Sequence, residues 1–125
     1  KLTAINSSTG DIAWSVVLGS YDVMEAKGIK NLGAANLGGA ITTASGLIFI
    51  GATNDQKFRA FETRTGKELW MTRLDASSNG VPLTYMGRDN RQYVVLTAGG
   101  PGHLTTIGIS AADKSDTVVA YSLQK

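Results

Sequence analysis

The sequence contains no cysteine, two prolines and a single histidine. Without cysteine there are no disulfides and no thiolate metal centres. One histidine, His103, cannot build a histidine-based zinc set, and no nucleophile motif accompanies it for acyl transfer. No apolar run approaches the length of a membrane-crossing helix. Charge of one sign is also missing: twelve basic residues stand against ten acidic ones. The basic residues are scattered, with no stripe and no interleaved aromatics, which argues against a nucleic-acid surface. The chain opens on Lys1, with no Met and no signal peptide. The expectation is a processed or truncated start, with any targeting information upstream.

Glycine is abundant instead. Fifteen of the 125 residues are glycine, well above the usual share of about 7%, and with so little proline this suits short strands joined by tight turns. Short runs rich in Val, Ile, Thr and aromatics fall at 2–5, 12–18, 40–43, 47–52, 58–61, 68–74, 82–86, 93–98 and 117–123. Residues 21–29 alone hint at helix. The expected class is all-β.

One segment returns. Ala4-Ile5-Asn6-Ser7-Ser8-Thr9-Gly10-Asp11-Ile12-Ala13-Trp14 reappears as Ala60-Phe61-Glu62-Thr63-Arg64-Thr65-Gly66-Lys67-Glu68-Leu69-Trp70, and Val119-Ala120-Tyr121 begins a third copy. Repetition on this scale marks an array of units that bury their faces on one another. Residues 40–74 read as a complete four-stranded meander, the blade of a β-propeller. Gly10 and Gly66 suit a turn needing positive φ. Trp14 and Trp70 fall on last strands, where an indole can dock on the next unit while its N–H finds a backbone acceptor. The strands then group as the outer two of a blade in 1–18, all four in 40–74 and three of a closing blade in 82–123. Nine strands are too few for a closed propeller, so a fragment of about two and a quarter blades is expected. Its open edges should drive self-association.

Turns in a meander alternate between two ends of the sheet. The long connections 19–39 and 99–116 and the short turn 53–57 all fall at the same end, where binding is expected. Asn54 and Asp55 lie there. A carboxylate at that strand end can meet a cofactor, a metal or a cation, or simply close an Asx turn on its own backbone. Gly33–Gly39 and the glycines around Pro101 lack the Lys-Ser/Thr and the helix of a phosphate loop. Arg59 reads as packing support, and Met24 and Met86 as pocket lining or loop-gap filling.

From Gly38 onward the residues resemble a known family. Gly38-Gly39-Ala40-Ile41-Thr42-Thr43-Ala44-Ser45-Gly46, the run Gly51-Ala52-Thr53-Asn54-Asp55, the segment Thr65-Gly66-Lys67-Glu68-Leu69-Trp70 and the strand Tyr93-Val94-Val95 ending in Ala98-Gly99-Gly100 are similar to the closing blades of pyrroloquinoline-quinone (PQQ)-dependent dehydrogenases. The likeness is strongest to the membrane-bound glucose and quinate/shikimate branch. It implies the C-terminal part of an eight-bladed propeller holding PQQ and a Ca2+ or Mg2+ ion near its axis. It also implies oxidation of a sugar or polyol by hydride transfer to PQQ, electrons passed on to quinone, and a periplasmic, membrane-anchored parent. By resemblance Asp55 matches a late-blade aspartate that approaches the cofactor, with Asn54 as its neighbour. No catalytic residue is expected within this stretch, which alone should bind no cofactor and be inactive. The chain departs from the family at Asn6 and Glu62, where Asp is common, and at Pro101-Gly102-His103, where relatives commonly place His directly after the two glycines. The alternative is a non-catalytic propeller scaffold of the outer-membrane assembly lipoprotein type, which shares the tryptophan repeat.

Overall fold

The computed structural model describes residues 1–100 and 115–123. Nine strands and one short helix follow in chain order: β1 (Leu2–Ile5), β2 (Ile12–Val16), α1 (Asp22–Ala26), β3 (Ala40–Thr42), β4 (Leu47–Ile50), β5 (Lys57–Glu62), β6 (Glu68–Arg73), β7 (Leu83–Met86), β8 (Gln92–Ala98) and β9 (Thr117–Ser122). The all-β architecture expected from the short β-branched runs is the one observed. They pair antiparallel into three separate sheets, β1-β2, β3-β4-β5-β6 and β7-β8-β9. The one helix lies within the stretch 21–29 and buries none of its residues. It survives as a single turn inside a connection, too short to hold together by its own hydrogen bonds.

Each sheet buries a face on the next. Leu2, Val16 and Leu18 from the first meet Ile48, Ile50, Ala52 and Phe61 of the second. The opposite face of the second sheet, with Ile41, Phe49, Phe58 and Leu74, packs on Val94, Leu96, Ala98, Val119 and Tyr121 of the third. The period-2 alternation of strands assigns these faces: Ile48 and Ile50 point one way and Phe49 the other. Phe58 is fully buried. It sits 5.7 Å from the Tyr121 ring and 5.8 Å from Trp70, the latter edge-on. Its burial contributes roughly 1.5–3 kcal/mol.

The repeated segment folds the same way twice. A register shift interrupts pairing after Ala4 and again after Ala60. The Gly10 N–H donates to the Asn6 carbonyl at 2.8 Å, and the Gly66 N–H to the Glu62 carbonyl at 2.9 Å. Both glycines take positive φ, +81° and +71°. The threonine before each also serves the turn: its hydroxyl accepts from the N–H of Asp11 in one copy and of Lys67 in the other. The side chains of Asn6 and Glu62 each accept one further bond, from the Ser8 N–H and the Thr65 hydroxyl. Trp14 docks across the sheet boundary. Its indole N–H donates to the Thr63 carbonyl at 2.9 Å, and its ring lies over Gly66, where an added Cβ would come within 2.5 Å of Cε3.

The far side of the third sheet remains open. Register pairs Leu83 with Val95 and Tyr85 with Tyr93, placing all four on the face turned away from the second sheet. Leu83 and Tyr85 are about half exposed there.

Candidate functional site

The site is built where chain connections converge on one end of the second sheet. Asn36 bridges Thr53. The Leu37 N–H donates to the Ala52 carbonyl, and the Asn54 N–H to that of Ala35 at 3.0 Å. On the other side, the Leu74 N–H reaches the Gln56 carbonyl at 2.7 Å, and the Gly100 N–H that of Ser77 at 2.9 Å. Gly38 permits this approach because it has no side chain. A Cβ there would fall 2.7 Å from the Ala52 Cβ and 2.9 Å from the Gly80 carbonyl.

Asp55 organises the turn 53–56. Its Oδ1 accepts from the Thr53 hydroxyl at 2.6 Å, from the Lys57 N–H at 3.2 Å and from Arg59 Nη1 at 3.2 Å. Its Oδ2 accepts from the Ser20 N–H at 3.0 Å and from Arg59 Nη2. Two carboxylate oxygens offer about four lone-pair sites, and five donors share them, so none is left over. The Lys57 bond is the Asx turn that Asp at this spacing offers; the others come from the fold. The side chains of Asp55 and Arg59 are 3% and 5% exposed. Burial pushes the Asp55 carboxyl upward. The Arg59 and Thr53 hydrogen bonds, the Arg59 charge and the Ser20 N–H together outweigh it and hold the group below its ordinary value.

Arg59 therefore does more than support packing. Beyond Asp55 it donates to the Thr53 hydroxyl at 3.2 Å and pairs through Nε with Glu68 at 3.3 Å. Next to it, the largely buried Lys57 ammonium donates to the Ser20 hydroxyl at 2.8 Å and to Asp22 at 2.5 Å. Arg73 also pairs with Asp22. The Lys57 hydrogen bond lowers the Asp22 carboxyl; desolvation opposes it, and the Lys57 and Arg73 charges add to the lowering. The connection 17–39 is thus fastened to the second sheet by Ser20 and Asp22. Between them lies a groove of about 310 Å³, lined in part by Ser20, Glu25, Lys57, Arg59 and Met71.

Asn54 differs from its neighbour. Its side-chain oxygen is buried with no hydrogen-bond partner among the described residues. Ser77 Oγ, Ser78 Oγ and Asn79 Oδ1, in the connection between the second and third sheets, are in the same condition. Sequence reading passed over Ser77–Asn79, since a Ser-Ser-Asn run looks like any turn; only burial between two sheets sets it apart. It passed over Ser20 and Asp22 because nothing local relates them to Lys57. Met24 and Met86 are exposed, 38% and 61%, so neither fills a gap nor lines the groove. Exposure follows from their places on α1 and on the edge strand β7, which no described residue covers. His103 lies outside the described residues. Among the described residues, no three His, Cys, Asp or Glu side chains are grouped to hold a metal, and no helix is long and apolar enough to cross a membrane.

Comparison with known proteins gives this arrangement its context. Residues 1–94 match the family described as glucose/ethanol/alcohol dehydrogenase, beta-propeller domain. The chain is 41% identical to a probable quinate dehydrogenase (quinone) of Xanthomonas campestris pv. juglandis, over 98% of this chain and 15% of that protein. It is 39% identical to the quinate/shikimate dehydrogenase (quinone) of Acinetobacter baylyi, over 99% of this chain and again 15% of the relative. Among solved structures it resembles a europium-containing methanol dehydrogenase, with TM-score 0.53 and 34% identity over 62% of this chain and 14% of that one. The chain therefore spans about 15% of the length of the curated relatives it matches. With its three face-packed antiparallel sheets and docked Trp14, it belongs to the β-propeller family of the PQQ-dependent glucose, ethanol and alcohol dehydrogenases.

Proposed function

We propose that this chain supplies the closing blades of a periplasmic quinoprotein that oxidises a sugar or polyol by hydride transfer to PQQ, electrons passing on to quinone. Its three sheets correspond in this reading to the outer pair of one blade, one complete blade and three strands of the last. The half-exposed face of Leu83 and Tyr85 is where further blades of the same propeller pack, and in an isolated chain it favours self-association.

The observation that carries the reading is the Asn54 side-chain oxygen, buried at the converging end without a partner among the described residues. PQQ is rich in carbonyl and carboxylate acceptors, so its pocket needs donors and few uncompensated anions. The Asn54 carboxamide, turned so that Nδ2 takes the place of the unpartnered oxygen, offers a donor, and the charge of Asp55 is already balanced by Arg59. On this observation the turn 53–56 fits a wall of the cofactor pocket, with Asn54 and Asp55 as its members. PQQ, when bound, supplies the hydride acceptor, and a Ca2+ or Mg2+ ion supplies Lewis acidity. The residues of this chain orient and seal: Ser20, Asp22 and Asn36 close the connection 17–39 over the turn, and Asp55 keeps the turn in one conformation. Asp55 has no free lone pair to take an alcohol proton, so the base is sought outside this chain.

The test is dye reduction by the full-length protein loaded with PQQ and Ca2+, offered quinate, shikimate, glucose and glycerol. Turnover of at least one, lost on removal of PQQ, is expected, and the isolated chain should show none. No PQQ-dependent reduction with any sugar or polyol would hand the chain to the scaffold reading.

A further inference from the structure

Resting on that reading, we infer that the two residues of the turn divide the work: Asn54 is the group that meets the cofactor, and Asp55, clamped by Arg59, is a positioning residue that acts through it. The two side chains are adjacent in sequence and opposite in state. Five protein donors occupy Asp55, and any ligand reaching it must displace one of them inside a buried ion pair. That exchange is unfavourable, because a buried guanidinium stripped of its partner keeps its charge without compensation. The Asn54 carboxamide has the opposite problem: its oxygen is buried with no described residue donating to it. Turning the amide over exchanges O and N and sets the donor Nδ2 in that place, still without a described partner. Asn54 as a whole is only partly buried. Native proteins leave few such groups unsatisfied.

Charge points the same way. Asp55 stays ionised, since its carboxyl is held below the usual range. An ionised carboxylate donates nothing to the carbonyls and carboxylates of PQQ and repels the latter. A carboxamide donates from Nδ2 and carries no charge. The clamp also explains why the arrangement needs both residues. The Asn54 N–H is tied to Ala35, and the next residue is tied to Ser20, Thr53, Lys57 and Arg59, so the backbone on both sides of the Asn54 side chain is fixed. Pre-set geometry of this kind strengthens binding by removing ordering costs.

A double-mutant cycle in the full-length apoprotein tests this, with PQQ affinity in Ca2+ read by fluorescence quenching and folding by thermal melting. Asn54→Ala should weaken PQQ binding about tenfold, the effect of losing one hydrogen bond to a charged or strongly polar partner, with the melting temperature nearly unchanged. Asn54→Asp should weaken it further, by placing an anion against an anionic cofactor. Asp55→Asn should lower the melting temperature and weaken PQQ binding, but add nothing in the Asn54→Ala background, because its effect passes through Asn54. If the Asn54→Ala and Asp55→Asn effects instead multiply, or Asn54→Ala binds PQQ like the parent while Asp55→Asn does not, Asp55 is the contact and this inference is wrong. If the parent binds PQQ and neither variant alters it, the turn lies outside the pocket. A parent that binds no PQQ removes the proposed function and this inference together.

Discussion

Substituting Gly66 by Ala tests whether Trp14 docking holds neighbouring sheets together. Gly66 and Gly10 occupy the same position of the repeated turn with nearly the same φ, +71° and +81°, so an alanine at either meets the same backbone penalty of about 1–2 kcal/mol. What surrounds them differs. A Cβ on Gly10 meets nothing within 4 Å, whereas one on Gly66 falls 2.5–2.9 Å from three indole atoms of Trp14. The indole must withdraw. It then loses its 2.9 Å hydrogen bond to the Thr63 carbonyl, about 1 kcal/mol, together with part of its packing. The total for Gly66→Ala is about 3–5 kcal/mol, against about 1–2 kcal/mol for Gly10→Ala. Hydrogen exchange in this 125-residue chain, where Gly10 has no described residue over it, reads the two turns locally. The reporters are the Gly66 and Glu62 N–H groups in one turn and the matching Gly10 and Asn6 N–H groups in the other. Protection should fall by about two to four orders of magnitude at the second turn in Gly66→Ala, and by about tenfold at the first in Gly10→Ala. In a Trp14→Ala background the Gly66→Ala effect should shrink to that of Gly10→Ala. Equal losses in the two turns of the parent background would refute the docking argument.

Two further outcomes follow from the ion pairs. Asp22→Asn removes the charge that Lys57 and Arg73 share, so the connection 17–39 should loosen and trypsin should cut faster after the exposed Lys27 and Lys30; an unchanged cleavage rate would show that Ser20 alone fastens it. Asp55 has a folded pKa below its unfolded one. Its contribution to stability is therefore complete above about pH 3.9 and is lost as pH falls through the lower folded value. Asp55→Asn should flatten the acid limb of a stability-against-pH curve in that window, and an unchanged limb would place the acid sensitivity elsewhere.

Much of this protein is local and can be read from its sequence. Positive φ at Gly10 and Gly66 follows from where a β-turn requires it. The alternation around Phe49 and Phe58 assigns each side chain to a face, and the recurrence of Trp14 and Trp70 gives the period of the array. A family resemblance carried by Thr53-Asn54-Asp55 and its flanks pointed to the right relatives. The division between Asn54 and Asp55 could not be read that way. Asp at that position closes an Asx turn with Lys57 in any context, and only the fold brings Ser20 from 35 residues away and the Arg59 guanidinium onto the same carboxylate. The condition of Ser77 and Ser78 was equally hidden, since a serine is costly only when two sheets close over it without offering a partner. Short-range geometry wrote the scaffold into the sequence. Which polar atoms are satisfied and which are left open was decided by contacts between distant segments, which exist only once the sheets have packed.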